Sequence, residues 1–391
     1  MNILTITTLF PNSNEPKHGI FIATRLRYLM ARKSDIRATV IAPVPWFPFS
    51  HSVFGEYARY AGVPYHEVIN GVDVYHPKYL VIPKLGMYLT PKLLEKAIDR
   101  AVKRLVGEQQ FDVIDGHYFF PDGVAIASVA EKYDIPFTCT ARGTDINLIP
   151  QQPRARRMIK KVFGKASHLM AVCQALSDEM ISIGAPKEKV TTLRNGVDLT
   201  LFTASDNMQQ LELRKALGFD GRLIVSVGWL IERKGHHLII EALVNLPEVT
   251  LAIIGSGPDE AKLKRLAAEF GVEERVRFIG TQTQQQINQW FKAADAAILA
   301  SSREGWANVL LEAMASGTPV VATKVWGTPE VVASEDVGVL VERSAKDIAD
   351  GVRHIFSKKV NRTDVRKYAE KYNWDSTSDG QYSIFREITK K

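Results

Sequence analysis

The chain has 391 residues, 46 % hydrophobic and 24 % charged, with a formal net charge of +7 and two cysteines. That length is too great for one core and suits two domains of about 200 residues each, in an ordinary globular composition. A disulfide scaffold is excluded by the cysteine count, and a membrane span by the lack of any run near the ~18 apolar residues that one needs.

Taken in chain order, MNILTITTLF reads as a buried first strand rather than a leader, so a cytoplasmic protein is expected. FPNSNEPKHGIF then sets His18 and Gly19 before the helix FIATRLRYLMAR, where glycine permits close backbone approach and a helix start favours an anion. After the strand ATVIAP, residues 43 to 91 are irregular and rich in proline and aromatics, with short strands at best; Trp46, Phe47 and Phe49 either cover a core or face an acceptor or lipid. A basic helix, KLLEKAIDRAVKRLV, leads to the strand FDVIDGHY, which ends at His117, and to the helix GVAIASVAEKY. PFTCTA and HLMAVC are further strands, their Cys139 and Cys173 read as buried reduced thiols. Arg142 and Asp145 lie in the turn ARGTDIN between them, where a mutual salt bridge is one reading. The second half repeats the scheme with LIVSVGWL, VTLAIIGSG, RVRFIG, AAILAS and TPVVAT as strands, separated by helical segments.

Alternating strands and helices imply an α/β protein with parallel sheets. We expect two doubly wound, Rossmann-like domains, 1–198 and 199–372, with a final helix over 373–391. Ligands of such sheets bind beyond the carboxyl ends of the strands, here in a cleft between domains. Charge is uneven: residues 1 to 200 hold 25 Lys or Arg against 18 Asp or Glu, and residues 151 to 170 hold six basic and no acidic residues. Such helices are either solvated faces or docks for an anionic membrane surface or a phosphorylated substrate. No nucleic-acid partner is expected.

Residues 303 to 321, REGWANVLLEAMASGTPVV, carry the chemistry. VLLEAMA favours helix, with Asn308 as the expected N-cap, Gly317 at the stop and Pro319 beyond. Glu304 then precedes the helix and Glu312 lies about one turn inside it, interrupting a greasy segment. A buried carboxylate needs donors, from a core arginine or from ligand hydroxyls, while the free amides of 305 to 309 favour a phosphate. Carboxylates for hydroxyls beside a helix start for phosphate describe a sugar-nucleotide site.

This stretch resembles the Glu-x7-Glu signature of the retaining glycosyltransferases of family 4, which have the two-domain GT-B fold. The resemblance implies that Glu304 contacts the donor sugar's hydroxyls, that the backbone of Trp306, Ala307, Asn308 and Val309 touches sugar and phosphate, and that Glu312 holds the ribose. SVGWLIERKGHHL resembles the family's strand, turn and Lys-Gly helix start, in which an arginine and a lysine neutralise the departing diphosphate. Lys234 takes the second role; Trp229 stands where the arginine is common, and Arg233 is the nearest replacement. By the same resemblance His117 lies beside the donor sugar, Arg142 and Asp145 border the acceptor side, Gly19 sits at a phosphate, and Gly257 and Ile279 lie near the nucleotide. Gly255-Ser-Gly257 lacks a third glycine in step and an acidic partner, which speaks against a dinucleotide fold. There is no Asp-x-Asp, and His236 and His237 are adjacent rather than one helical turn apart, so neither metal nor cofactor is expected.

The function implied is transfer of a sugar from a nucleotide-sugar donor to a saccharide or lipid-linked acceptor, with retention, as in bacterial surface polysaccharide synthesis, by a cytoplasmic protein that can sit on the inner membrane face. A sugar-nucleotide epimerase or hydrolase, and a non-catalytic sugar-binding module, are the alternatives.

Overall fold

The computed structural model describes residues 1–46, 60, 62–81, 86–358 and 360–390. Phe47 and Phe49 therefore lie outside the described residues. Contacts divide the chain into two units: Met1–Arg194 with Trp374–Lys391, and Asn195–Asn373.

The first unit runs β1 (Asn2–Ile6), α1 (Ile20–Arg32), β2 (Arg37–Ile41), β3 (Val44–Trp46), β4 (His66–Ile69), β5 (Val72–Tyr75), β6 (Lys78–Leu80), α2 (Thr90–Leu105), β7 (Val113–His117), α3 (Val124–Tyr133), β8 (Phe137–Ala141), α4 (Thr144–Asn147), α5 (Pro153–Lys165), β9 (His168–Ala171), α6 (Gln174–Ser182) and β10 (Val190–Thr192). Its main sheet has the order β10-β9-β8-β7-β1-β2-β5-β4, parallel except for the hairpin of β4 and β5. The hairpin turns on Asn70 and Gly71, both at positive φ, an Asn-Gly pair of the kind that favours such turns. β7 and β8 are buried at every position, as in a sheet covered on both faces; β8 is a neutral run, whereas β7 carries Asp115 and His117 into the interior.

The second unit runs α7 (Asn207–Ala216), β11 (Arg222–Val227), α8 (His236–Ala242), β12 (Val249–Ile254), α9 (Glu260–Glu269), β13 (Val276–Gly280), α10 (Gln284–Ala293), β14 (Ala296–Leu299), α11 (Asn308–Ala315), β15 (Val320–Thr323), α12 (Thr328–Val331), β16 (Gly338–Val341), α13 (Ala345–Lys358) and α14 (Arg362–Glu370). Its parallel sheet has the order β13-β12-β11-β14-β15-β16. Capping boxes start α7 at Asp206 and α10 at Thr283, each satisfying two otherwise unpaired amides.

The last helix, α15 (Trp374–Ile388), returns to the first unit. Trp374, Thr377, Ser378, Gln381, Ile384 and Phe385 recur at helical spacing and are buried, Trp374 stacking on Tyr28 of α1 with ring centroids 5.6 Å apart. Both units are thus doubly wound and Rossmann-like, with the strand order turning between β1 and β7 in one and between β11 and β14 in the other. Loops diverge at those points and leave room for a ligand beyond the strand ends. Among the described residues no helix is long and apolar enough to cross a membrane.

Candidate active site

In the second unit the loops after β11 and β14 meet at their turning point. Gly235, at φ +72 before α8, lies so close to the other loop that a Cβ would stand 2.0 Å from the Ala300 carbonyl oxygen, so only glycine fits. The approach brings Lys234 Nζ to 2.6 Å from Glu304 Oε1, and Ser301 Oγ donates to the same oxygen at 2.7 Å. Arg233 Nη1 is 3.9 Å from Glu304 Oε1 and donates to the Arg303 carbonyl at 2.9 Å. Burial would raise the Glu304 pKa, but the charge and hydrogen bond of Lys234, with Ser301 and Arg233, outweigh it and hold the carboxyl below its ordinary value. Among the described residues no donor reaches Oε2. Sequence reading names Lys234, Arg233 and Glu304 but not Ser301, whose signal is its place three residues before Glu304 at the end of a strand.

Glu312 lies on α11, partly exposed, with no donor or cation of the described residues against it; desolvation alone raises its pKa to about 7. It is therefore not a core glutamate paired with an arginine. Asn308 is the first residue of α11 rather than its N-cap, which is Ala307, because Asn308 already has helical backbone and its Oδ1 accepts from Asn195 Nδ2 at 3.2 Å. Nor is its amide free, since it donates to the Trp306 carbonyl at 3.0 Å; Val309, in the first turn, keeps an amide without an intrahelical acceptor. The Trp306 ring is buried beside Tyr372, so any ligand contact there falls to backbone. Gly255 and Gly257 press against the backbone of Gly228 and Leu230, where Cβ atoms would lie 2.0 and 2.4 Å from carbonyl oxygens. These glycines allow close packing of the β12 turn on the β11 turn. Ile279 stands at the end of β13, and Trp229 is 43 % exposed.

In the first unit Gly19 is at φ +61 with a hypothetical Cβ 2.1 Å from the Leu9 carbonyl oxygen, so the β1 loop closes on the start of α1. The loop is tied by Asp122, which accepts from the Thr8 amide at 2.6 Å and from both Thr7 and Thr8 hydroxyls. Burial nonetheless raises the Asp122 pKa to about 7. His117 ends β7 with a side chain 2 % exposed: Nε2 lies 3.2 Å from Asp115 Oδ2 and Nδ1 2.8 Å from Arg142 Nη2. Both ring nitrogens are engaged by protein, so the imidazole supports the site rather than offering a free N–H. Asp145 is not salt-bridged to the Arg142 guanidinium; its carboxylate accepts instead from the backbone amides of Phe119, Arg142 and Gly143 at 2.8 to 3.0 Å. Asp115 and Asp122 escape sequence reading because, His117 apart, their hydrogen-bond partners Thr138, Gln381, Thr7 and Thr8 are 23 to 266 residues away.

Residues 209–372 match the family model described as glycosyl transferases group 1, and residues 26–201 that of Glycosyltransferase Family 4. A Bacillus subtilis protein named as a teichuronic acid biosynthesis glycosyltransferase, TuaC, is 28 % identical over 372 residues, 93 % of this chain and 92 % of that one. A D-inositol 3-phosphate glycosyltransferase of Jonesia denitrificans is 30 % identical, covering 70 % of this chain and 71 % of its own. Among solved structures, sucrose-phosphate synthase of Thermosynechococcus elongatus superposes with TM-score 0.81 at 18 % identity, over 99 % of both chains. HepE of Anabaena, in complex with UDP-glucose, superposes with TM-score 0.75 at 20 % identity, over 99 % of this chain and 100 % of that one.

Proposed function

Because the chain belongs to the family 4 glycosyltransferases and has their GT-B fold, we propose that it moves a sugar from a nucleotide-sugar donor to an acceptor hydroxyl with retention at the anomeric carbon. The carrying observation is the Lys234–Glu304–Ser301 cluster beside the donorless carboxyl of Glu312. Lys234 serves the leaving diphosphate as a compact positive charge, and Arg233 adds a second. Glu304 Oε2 and Glu312 take sugar and ribose hydroxyls, while the amides before α11 face the anion. The acceptor oxygen bonds to the anomeric carbon on the face that the diphosphate leaves, the bond from that carbon to the phosphate oxygen breaks, and the acceptor's proton passes to the departing phosphate. His117 stands beside the donor sugar at the reaction centre, Arg142 and Asp145 serve the acceptor side, and Gly19, Gly257 and Ile279 lend backbone. The binding of UDP-glucose by HepE supports a nucleotide-sugar donor. The acceptor is a saccharide or lipid-linked saccharide in surface polysaccharide synthesis, a reading supported by the likeness to TuaC and by the basic α2 and α5, which fit an anionic membrane surface.

Thermal stabilisation against a panel of UDP-, GDP-, ADP- and CMP-sugars, with free nucleotides as controls, tests the donor site. A shift with one donor is expected; turnover of that donor then falls by about 10²- to 10³-fold in Glu304→Gln and Lys234→Ala with the fold intact. No shift with any donor, or near-normal turnover in either variant, would sink the reading. Consumption of donor without acceptor would instead identify an epimerase or hydrolase.

A further inference from the structure

The buried ring of His117 is one link in a polar chain that begins on the last helix. Arg25 of α1 donates from Nε to Gln381 Oε1 of α15 at 2.7 Å, and Gln381 Nε2 donates to Asp115 Oδ2 at 3.0 Å. His117 Nε2 lies 3.2 Å from the same carboxylate oxygen, and Arg142 Nη2 lies 2.8 Å from His117 Nδ1. A guanidinium only donates, so Nδ1 must accept, the ring proton must sit on Nε2, and Asp115 must accept it. Every member thus has one consistent donor direction, and the sheet register explains the alignment. Asp115 is level with Thr5 and Thr138, and His117 with Thr140, so these side chains share one face of the sheet. Gly116 faces the opposite way, toward Ile126 of α3.

Burial is severe here: Arg25, Asp115, His117 and Gln381 are each at most 2 % exposed. Buried ions persist only when compensated, and Asp115 and Asp145 offset Arg25 and Arg142. Burial pushes the Asp115 carboxyl up, but His117, Arg25 and Arg142 outweigh it and hold it below its ordinary range. Burial, with Arg142 and Arg25 against Asp115, lowers His117 to about 4, so the neutral ring that this geometry requires persists at neutral pH.

We propose that Asp115 and Gln381 are positioning residues for the His117–Arg142 pair: the C-terminal helix, acting through Gln381 and Asp115, fixes the tautomer of His117 and, through it, the placement of the Arg142 guanidinium. The inference rests on the transferase reading for its catalytic consequence, but not for its structural part. It gives α15 a part in the site beyond covering α1.

The test uses full-length protein with 15N-labelled imidazoles, the His117 signals being identified by their loss in His117→Gln. Wild type is expected to show a neutral Nε2–H ring for His117 across neutral pH. Asp115→Asn, which can offer an N–H to Nε2, and Gln381→Met, which keeps the helix but removes both hydrogen bonds, are expected to shift or mix the tautomer. In the same variants kcat is expected to fall by about 10- to 100-fold, as for a misplaced group, while the donor KM and the nucleotide-induced thermal shift stay near wild type. A merely structural role would lower thermal stability and leave tautomer and kcat together unmoved. An unchanged tautomer in both variants, or a changed tautomer with wild-type kcat, overturns the proposal. Should Asp115→Asn fail to fold, Gln381→Met decides. Should wild type transfer no sugar, the transferase reading falls, while the imidazole spectrum still decides whether Asp115 and Gln381 set the ring.

Discussion

Glu304 and Glu312 are the same residue in opposite surroundings. One has a lysine, a serine and a nearby arginine on a single oxygen and is held ionised; the other has no donor and is pushed up to about 7 from 4.5. Such divided environments are where binding and catalytic roles collect, since a group that its own protein leaves unsatisfied is ready for a ligand. The raised pKa makes folded protein bind more protons at Glu312 than unfolded protein does between about pH 4.5 and 7, so ionisation there costs stability as pH rises through that window. Glu312→Gln removes this cost. The variant is expected to match wild type near pH 4.5 and to gain over it as pH rises to 7, then level off. The full shift corresponds to about 3 kcal/mol, an upper bound because the side chain is partly exposed. Urea unfolding at a series of pH values measures it, and a difference that does not grow with pH would remove Glu312 from this account.

At the scale of elements, α2 and α5 have the clearest divided faces. Ala155, Ile159, Val162 and Phe163 of α5 are buried, whereas Arg154, Arg156, Arg157, Lys160, Lys161 and Lys165 point to solvent. Leu94, Ile98 and Val102 bury α2 in the same way, with Lys92, Lys96, Arg100, Lys103 and Arg104 outside. Arg154 lies 4.9 Å over the ring of Tyr88, between the exposed Met87 and Leu89 that lead into α2. Basic faces beside exposed apolar side chains suit an anionic bilayer surface. We expect sedimentation with anionic vesicles at low salt and release as salt screens the attraction. Near such a surface each basic residue contributes about 1 kcal/mol, so neutralising Arg156, Arg157, Lys160 and Lys161 as glutamine should weaken binding by roughly three orders of magnitude. Equal sedimentation of the variant, or none of wild type, would make these faces plain solvated surface.

At the scale of the molecule, the second unit is continuous in sequence and the first is not, because α15 comes from the far end of the chain. Burial of Trp374, Ile384 and Phe385 contributes about 1.5 to 3 kcal/mol each, comparable with the whole marginal stability of a domain. Residues 195–373 alone are therefore expected to unfold cooperatively and to keep the nucleotide-induced thermal shift. Residues 1–373 should lose the transition of the first unit and keep that of the second. Calorimetry of both fragments checks this, and an intact first transition in 1–373 would refute the weight placed on α15. Much of this organisation is legible in the sequence, since strand and helix periods, glycine stops and turn residues act over a few positions. The alternation predicts doubly wound sheets, and REGWANVLLEAMASGTPVV marks the family and both glutamates. The hairpin at Asn70 and Gly71 is equally local, though short strands in an irregular stretch carry a weak period. What only tertiary structure decides is who meets whom: Lys234 against Glu304 across 70 residues, Asp122 on Thr8, and Gln381 of the last helix on Asp115. Burial pushes both glutamates up, the partners that only Glu304 meets drive the two apart in acidity, and the fold closes the His117 ring between Asp115 and Arg142. Local propensity is written in neighbouring residues, whereas desolvation and partner choice arise only once distant strands are set side by side.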